Sequence, residues 1–126
     1  MHKSRLGALV IDCEGGDIDT AAEFWGRALG AAVTDHPDPQ FKNYGFLEER
    51  PNDPMLIIQK VEHASRIHLD IETDDIEAEA DRLEALGAKR IERFPRWWVM
   101  EAPTGHRFCI INAQRIGFED EANSWD

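Results

Sequence analysis

An α+β fold of two strand-helix-strand-strand-strand repeats is what this sequence predicts, and three observations predict it. The tetrapeptide ALGA occurs at 28–31 and again at 85–88. Each copy closes an amphipathic stretch with an acid-rich start, DIDTAAEFWGRALG and DDIEAEADRLEALG. Short apolar runs bounded by turn residues precede and follow each stretch. The 126-residue chain therefore reads as a single domain, with module one over about 6–62, module two over about 66–112 and a C-terminal tail over 113–126. The seam lies at EHAS, residues 62–65.

The elements follow in order. LGALVIDC (6–13) is the first strand. The first helix carries Ala21, Phe24, Trp25 and Leu29 at helical spacing, with Asp17 or Asp19 able to cap its start. Three strand-like runs follow: AAVT, YGFLEE and MLIIQKV. RIHLDIET (66–73) opens the second module. Its helix has Ile76, Ala80, Leu83 and Leu86 as the apolar stripe, Asp74 or Asp75 as the cap, and acids in the first turn, where the helix dipole favours them. KRIE, RWWVMEA and RFCIIN complete the set. Gly30 and Gly87 suit helix C-termini. DHPDPQFKN, RPNDP and APTGH read as turns.

Composition narrows the function. The net charge of −11, from 14 Lys and Arg against 25 Asp and Glu, argues against nucleic acid, which needs clustered cations to neutralise phosphates. It also argues against anionic membranes and admits a cationic small molecule. No apolar run reaches spanning length, and the N-terminus has too short an apolar stretch for a secretory signal. A cytoplasmic protein is expected, with Cys13 and Cys109 as reduced thiols in apolar runs. No phosphate loop, dinucleotide fingerprint or Cys/His zinc spacing is present. His36, His63 and His106 fall in turns, and His2 precedes the first predicted strand.

Strand alternation gives candidate residues, because i and i+2 share a face. In RIHLDIET, Ile67, Leu69 and Ile71 form the face expected to pack on the helix, leaving His68, Asp70 and Glu72 on the other. In LGALVIDC, Leu9 and Ile11 are the helix-side residues, and Leu6, Ala8, Val10 and Asp12 oppose them. Of the neighbours Trp97 and Trp98, one faces each side. The inward one offers a flat wall to an aromatic or cationic ligand. Phe118 and Trp125 stand out in the polar tail, which either folds back or stays disordered.

The segments AAEFWGRALGA, RIHLDIETDDIEAEADRLEALGAKRI and RWWVMEAPTGHRFCII resemble the vicinal oxygen chelate superfamily of glyoxalases, extradiol dioxygenases and bleomycin-resistance proteins, in its glyoxalase-like domain branch. The resemblance covers about 6–112. Ala102 and His106 stand where that family's ending usually has Asp and Asn. It implies two βαβββ modules forming a curved-sheet cup with helices outside, and a homodimer. It implies metal ligands on the first and last strands of each module. Those positions fall on Ala8 or Val10, Gln59, His68 and Cys109. His68 is a competent ligand, Cys109 a thiolate, Gln59 an amide, and Ala8 and Val10 have no donor. No cofactor is therefore expected. A divalent metal stays an alternative, held by His68 if by any residue and completed by Asp12 or Asp70.

The leading expectation is a glyoxalase-like protein binding a small molecule in its cup without the usual metal site. Its ligand contacts would come from His68, Asp70, Gln59, Trp97, Trp98, Cys109 and Asp12. Three alternatives stand beside it: a metal-dependent lyase or dioxygenase with an atypical set including His68, a metal-free enzyme using His68 or Asp70 as base, and an interaction module with a vestigial cup.

Overall fold

A computed structural model describes residues 1–36, 38–50 and 53–126. The elements run β1 (His2–Glu14), α1 (Ile18–Leu29), β2 (Val33–Thr34), β3 (Tyr44–Leu47), β4 (Met55–Val61), β5 (Arg66–Thr73), α2 (Ile76–Ala85), β6 (Lys89–Phe94), β7 (Trp97–Glu101), β8 (Arg107–Asn112), α3 (Phe118–Glu121) and β9 (Asn123–Trp125). This is an α+β fold with the strand-helix-strand-strand-strand order occurring twice. The turn expected at 35–43 contains a 3-10 turn at Pro39–Phe41. The turns expected at 35–43 and 50–54 also take in residues 37, 51 and 52, which lie outside the described residues.

The chain divides into two compact units, Ala8–Ile67 and a second made of Met1–Gly7 with His68–Asp126. In the unit Ala8–Ile67 the strand order is β2-β3-β4-β1. β1 and β4 are parallel, with Ala8 opposite Met55, Val10 opposite Ile57 and Asp12 opposite Gln59. Helix α1 starts at Asp17, whose carboxylate accepts hydrogen bonds from the Thr20 backbone N–H and hydroxyl. These bonds hold that carboxyl below its usual range. It ends at Gly30, in the left-handed conformation that spares a glycine the Cβ clash. Ile18, Ala21 and Trp25 pack with Ile11, Leu56 and Ile58.

The packing face of α1 differs from the expected stripe. Phe24 and Leu29 are exposed, while Ala22 and Gly26 are buried. The reason is proximity: a Cβ built on Gly45 of β3 would stand 2.7 Å from the Ala22 Cβ. At that separation only small side chains fit between helix and strand.

In the other unit the opening of β1 lies beside β5, followed by β8, β7 and β6, and β9 pairs with β1. β5 and β8 are parallel; β7 is antiparallel to β8 and to β6. Asp75 caps α2 through the Ala78 N–H. Ile76 and Ala80 of α2 bury against Met100, Phe108 and Ile110, with Ile71, Leu83 and Trp98 packed around them. On β5 only Ile71 joins that cluster. Leu69 is 42% exposed, and in the first unit Ile67 is 61% exposed, so the apolar face expected along RIHLDIET is covered only at its end. Leu86 is exposed too, because the stripe has passed the last packed turn by then.

One terminal expectation is corrected, and of the two alternatives for the tail the folded-back one holds. His2 does not precede the fold: β1 begins there, and the His2 ring is buried against Glu79. Residues 113–126 do not trail off. Phe118 is buried in α3, and Trp125 in β9 donates its Nε1–H to Ser4 Oγ at 2.8 Å and lies 3.9 Å from the Arg82 guanidinium.

Candidate functional site

The register of β5, β8 and β7 builds the most chemically loaded surface of the second unit. Asp70 stands opposite Cys109, and Cys109 opposite Val99. Cross-strand partners share a face, so His68, Asp70 and Glu72 lie with Arg107, Cys109, Ile111, Trp97, Val99 and Glu101. The alternate residues Ile71, Phe108, Ile110, Trp98 and Met100 belong to the core beneath α2. His68 Nε2 comes within 3.4 Å of Asp70 Oδ1. One donor atom from each of His68, Asp70 and Cys109 lies within 4.8 Å of the other two. Asp70 is 9% exposed, and its Oδ1 accepts no hydrogen bond among the described residues.

The surroundings of that trio are fixed by charge pairs. Arg107 Nε lies 3.3 Å from Glu101 Oε1. Glu72 is fully engaged: Arg5 Nε stands 3.0 Å from its Oε1 and Arg115 Nε 3.4 Å from its Oε2. Arg115 also donates to the Leu6 carbonyl, and Arg5 to the carbonyls of Arg115 and Ile116. The segment around Arg115 is thereby tied to Glu72, next along β5 on the face that carries His68 and Asp70.

Trp97 and Trp98 separate as alternation requires. Trp97 lies on the His68 face, its ring stacked on Phe94 at 4.7 Å. Trp98 is on the helix side and donates Nε1–H to Glu77 Oε1 at 2.8 Å. That bond, with bonds from Arg90 and Arg93, holds the Glu77 carboxyl below its usual value. Of the two candidate tryptophans, Trp98 is therefore the one whose indole packs on the α2 core and bonds to Glu77.

In the unit Ala8–Ile67, Asp12 and Gln59 stand in register on the face away from α1. Asp12 is buried, with Oδ2 3.7 Å from Arg66 Nε. Gln59 donates to the Tyr44 hydroxyl at 3.1 Å. Ala8, Val10 and Ile57 bury beside Tyr44, Phe46 and Met55 on that face. A ring cluster missed in the sequence completes it: Phe41 lies 4.4 Å from His36, 5.7 Å from Tyr44 and 5.8 Å from Phe46 between centroids. The alternation of Tyr44 and Phe46 in YGFLEE was the available signal. His36 and Phe41 come from an irregular segment, where no period points to a face. Leu6, expected beside Ala8, is instead exposed.

The donors decide what ion this protein suits. Ala8 and Val10 supply none, and the Gln59 amide is engaged with Tyr44. His68, Asp70 and Cys109 offer imidazole, carboxylate and sulfur, a mixed set that fits a borderline-soft cation of the zinc kind. Magnesium and manganese call for oxygen-rich sites. Cys13 is a free thiol. Burial, with the Asp12 charge beside it, pushes the Cys13 thiol up, which makes it a poor nucleophile.

Residues 8–111 match the family model of the glyoxalase-like domain. No curated protein is similar enough in sequence to be matched. Among solved structures, a methylmalonyl-CoA epimerase in complex with methylmalonyl-CoA and NH4+ aligns with a TM-score of 0.66 at 15% identity, over 90% of this chain and 97% of that one. A Streptomyces coelicolor methylmalonyl-CoA epimerase variant holding 2-nitronate-propionyl-CoA aligns with 0.63 at 15%, over 88% and 98%. A hypothetical protein from Bacillus halodurans aligns with 0.62 at 13%, over 89% and 96%. At these identities the likeness is one of fold.

Proposed function

The chain belongs to the glyoxalase-like domain family of the vicinal oxygen chelate superfamily, and from that premise we propose that it binds a small organic molecule against the β5–β8–β7 face. One observation carries the reading: His68, Asp70 and Cys109 converge on a single face that also bears the stacked Trp97 and Phe94 rings. A few convergent polar groups beside an aromatic wall are the usual make-up of a ligand site. The acidic chain favours a cationic or aromatic ligand. Asp12 and Gln59, with the ring cluster at Tyr44, form a second candidate surface.

A thermal-shift screen tests this, since a ligand that binds only the folded state raises the melting temperature, by about 2.7 kcal/mol of stability at 100 times its Kd. The panel is aromatic cations, antibiotics and CoA esters. A hit whose shift is lost in Trp97→Ala and kept in Trp98→Phe supports the assignment. No hit, together with a tight protein partner in pull-downs, points instead to an interaction module.

The 3.4 Å approach of His68 to Asp70 favours a second reading, a metal-free enzyme. An imidazole steered by a carboxylate is the arrangement of a general base and its orienter, suited to removing a proton next to a carbonyl. Deuterium uptake from D2O at such a carbon, abolished in His68→Gln, would identify it. We also read the protein as a cytoplasmic homodimer. β2 and β6 are edge strands in their own units, and exposed edges invite pairing. Light scattering after gel filtration measures the oligomeric state. No helix among the described residues is long and apolar enough to cross a membrane.

A further inference from the structure

We propose that Cys109 is a reactive thiol that exchanges with small disulfides, with His68 as its base and Asp70 as the residue that positions His68. This goes beyond the readings above, since it adds covalent chemistry to the β5–β8–β7 face. It shares with the metal-free reading only the role of His68 as a base.

Three observations support it. First, backbone register alone brings the groups together. Asp70 and Cys109 are cross-strand partners, and His68 lies two residues before Asp70 on the same face. One polar atom from each lies within 4.8 Å of the other two, and contacts between nucleophile and base are often this loose before a reactant arrives. Second, Asp70 is 9% exposed, and its Oδ1 accepts no hydrogen bond among the described residues. His68 Nε2 stands 3.4 Å from that oxygen. A buried carboxylate with an unmet acceptor favours a protonated imidazole beside it. Moving the Cys109 proton onto His68 therefore satisfies Asp70 as the sulfur becomes nucleophilic. Third, the strand position selects the reaction. β8 lies between β5 and β7, so the backbone N–H groups around Cys109 are spent on the two ladders rather than on the oxyanion hole that acyl transfer needs. Substitution at sulfur builds no oxyanion. Its charge spreads over three sulfur atoms, which suits a half-buried thiol on a face shared with Trp97.

The step balances without a further reactant. His68 takes the Cys109 proton, and the sulfur attacks one sulfur of the disulfide. The new S–S bond forms as the old one breaks. The departing thiolate takes the proton back from His68 and leaves as a thiol. The Cys109 sulfur is oxidised and the departing sulfur reduced, so the disulfide itself is the oxidant. The mixed disulfide would then occupy the face on which the ligand is read to lie.

The test uses the tag-free full chain, reduced and treated with chelator. Cystamine, a small cationic disulfide suited to the acidic chain, is the probe. Intact mass with peptide mapping reads the rate at each cysteine. In the native chain Cys109 should form its mixed disulfide about 10-fold or more faster than in the urea-unfolded chain, because a thiol without a base reacts only through its small thiolate fraction. Cys13, its thiol pushed up by burial and the Asp12 charge, should react more slowly native than unfolded. His68→Gln and Asp70→Asn should remove the native advantage at Cys109 and leave the Cys13 rate unchanged, which a general loosening of the fold would not do. Circular dichroism checks that the variants fold. The wild-type comparison needs no variant: a native Cys109 rate no faster than the unfolded one overturns the proposal. So does a native advantage that survives His68→Gln. Thermal-shift hits kept in Cys109→Ser, beside no native advantage at Cys109, would leave the ligand reading standing and remove the thiol chemistry. A native advantage lost in His68→Gln, beside no thermal-shift hit, would do the reverse.

Discussion

His2 and Glu79 lie 77 positions apart in the chain and meet in a buried contact, with His2 Nε2 2.8 Å from Glu79 Oε1. Arg82 adds two 2.8 Å bonds to the same carboxylate. Burial pulls the Glu79 carboxyl up, but bonds from Arg82, His2 and Ser4 outweigh it, and the group titrates below its ordinary 4.5. Truncating His2→Ala leaves Glu79 short of a donor and should cost about 1–3 kcal/mol in urea unfolding. The sign of the pH effect follows from the lowered value. Glu79 contributes fully above its unfolded pKa, and that contribution is lost as pH falls through the lower folded one. Stability of wild type minus Glu79→Gln should therefore be flat above about pH 4.5 and decline below it. A difference that grew on acidification would refute this.

How much of this was readable beforehand depends on distance along the chain. The RIHLDIET strand, both aspartate caps and the separation of Trp97 from Trp98 came from local period and turn chemistry, and the structure has them. His68 and Asp70 were placed on one face by the same alternation. The packing face of α1 departs from its hydropathy pattern, which marks Phe24 and Leu29, because the close approach to β3 selects Ala22 and Gly26. The His2–Glu79 contact and the Arg5–Glu72–Arg115 cluster join residues far apart in sequence, and no local pattern encodes such pairs. Trp125 stands out in a polar tail, but no local pattern points to its Ser4 partner.

The α1–β3 contact makes Gly45→Ala a sharp test of packing. The added methyl would meet the Ala22 Cβ at 2.7 Å, and overpacking of this kind costs about 1–3 kcal/mol. The compensating Ala22→Gly change should recover part of it, less about 1 kcal/mol for glycine within a helix. The two substitutions should therefore be non-additive in a double-mutant cycle. Additive losses would mean that the helix does not sit this close.

Trp98→Phe separates the hydrogen bond of the indole from its bulk. The phenyl ring still fills the space against the α2 core and beneath the Arg90 guanidinium, 5.0 Å from the Trp98 ring. Only the Nε1–H bond to Glu77 disappears. Glu77 should then titrate closer to its ordinary 4.5, visible as an upward shift in a side-chain NMR titration. The stability loss should be small, about 0.5–1.5 kcal/mol, because the Glu77 side chain is largely exposed. An unmoved Glu77 titration would show that Arg90 and Arg93 alone set it.

Arg5 and Arg115 grip the same buried carboxylate, yet their loss should read differently. Glu72 is 1% exposed, so removing one partner leaves a charge poorly compensated in a dry site. Arg5 makes the 3.0 Å contact and also holds the carbonyls of Arg115 and Ile116. Arg5→Ala should therefore cost about 3–5 kcal/mol, the range for breaking a buried ion pair. Arg115 stands farther off, at 3.4 Å, and Arg115→Ala leaves the Arg5 contact in place, so its cost should be smaller. Its distinctive effect should be local: the segment around residue 115 loses its anchor to Glu72 and the Leu6 carbonyl. Backbone amides from 113 to 117 should then exchange faster with D2O while those of β5 hardly change. Equal stability losses for the two arginines, or unchanged exchange in Arg115→Ala, would show that Glu72 does not anchor the tail.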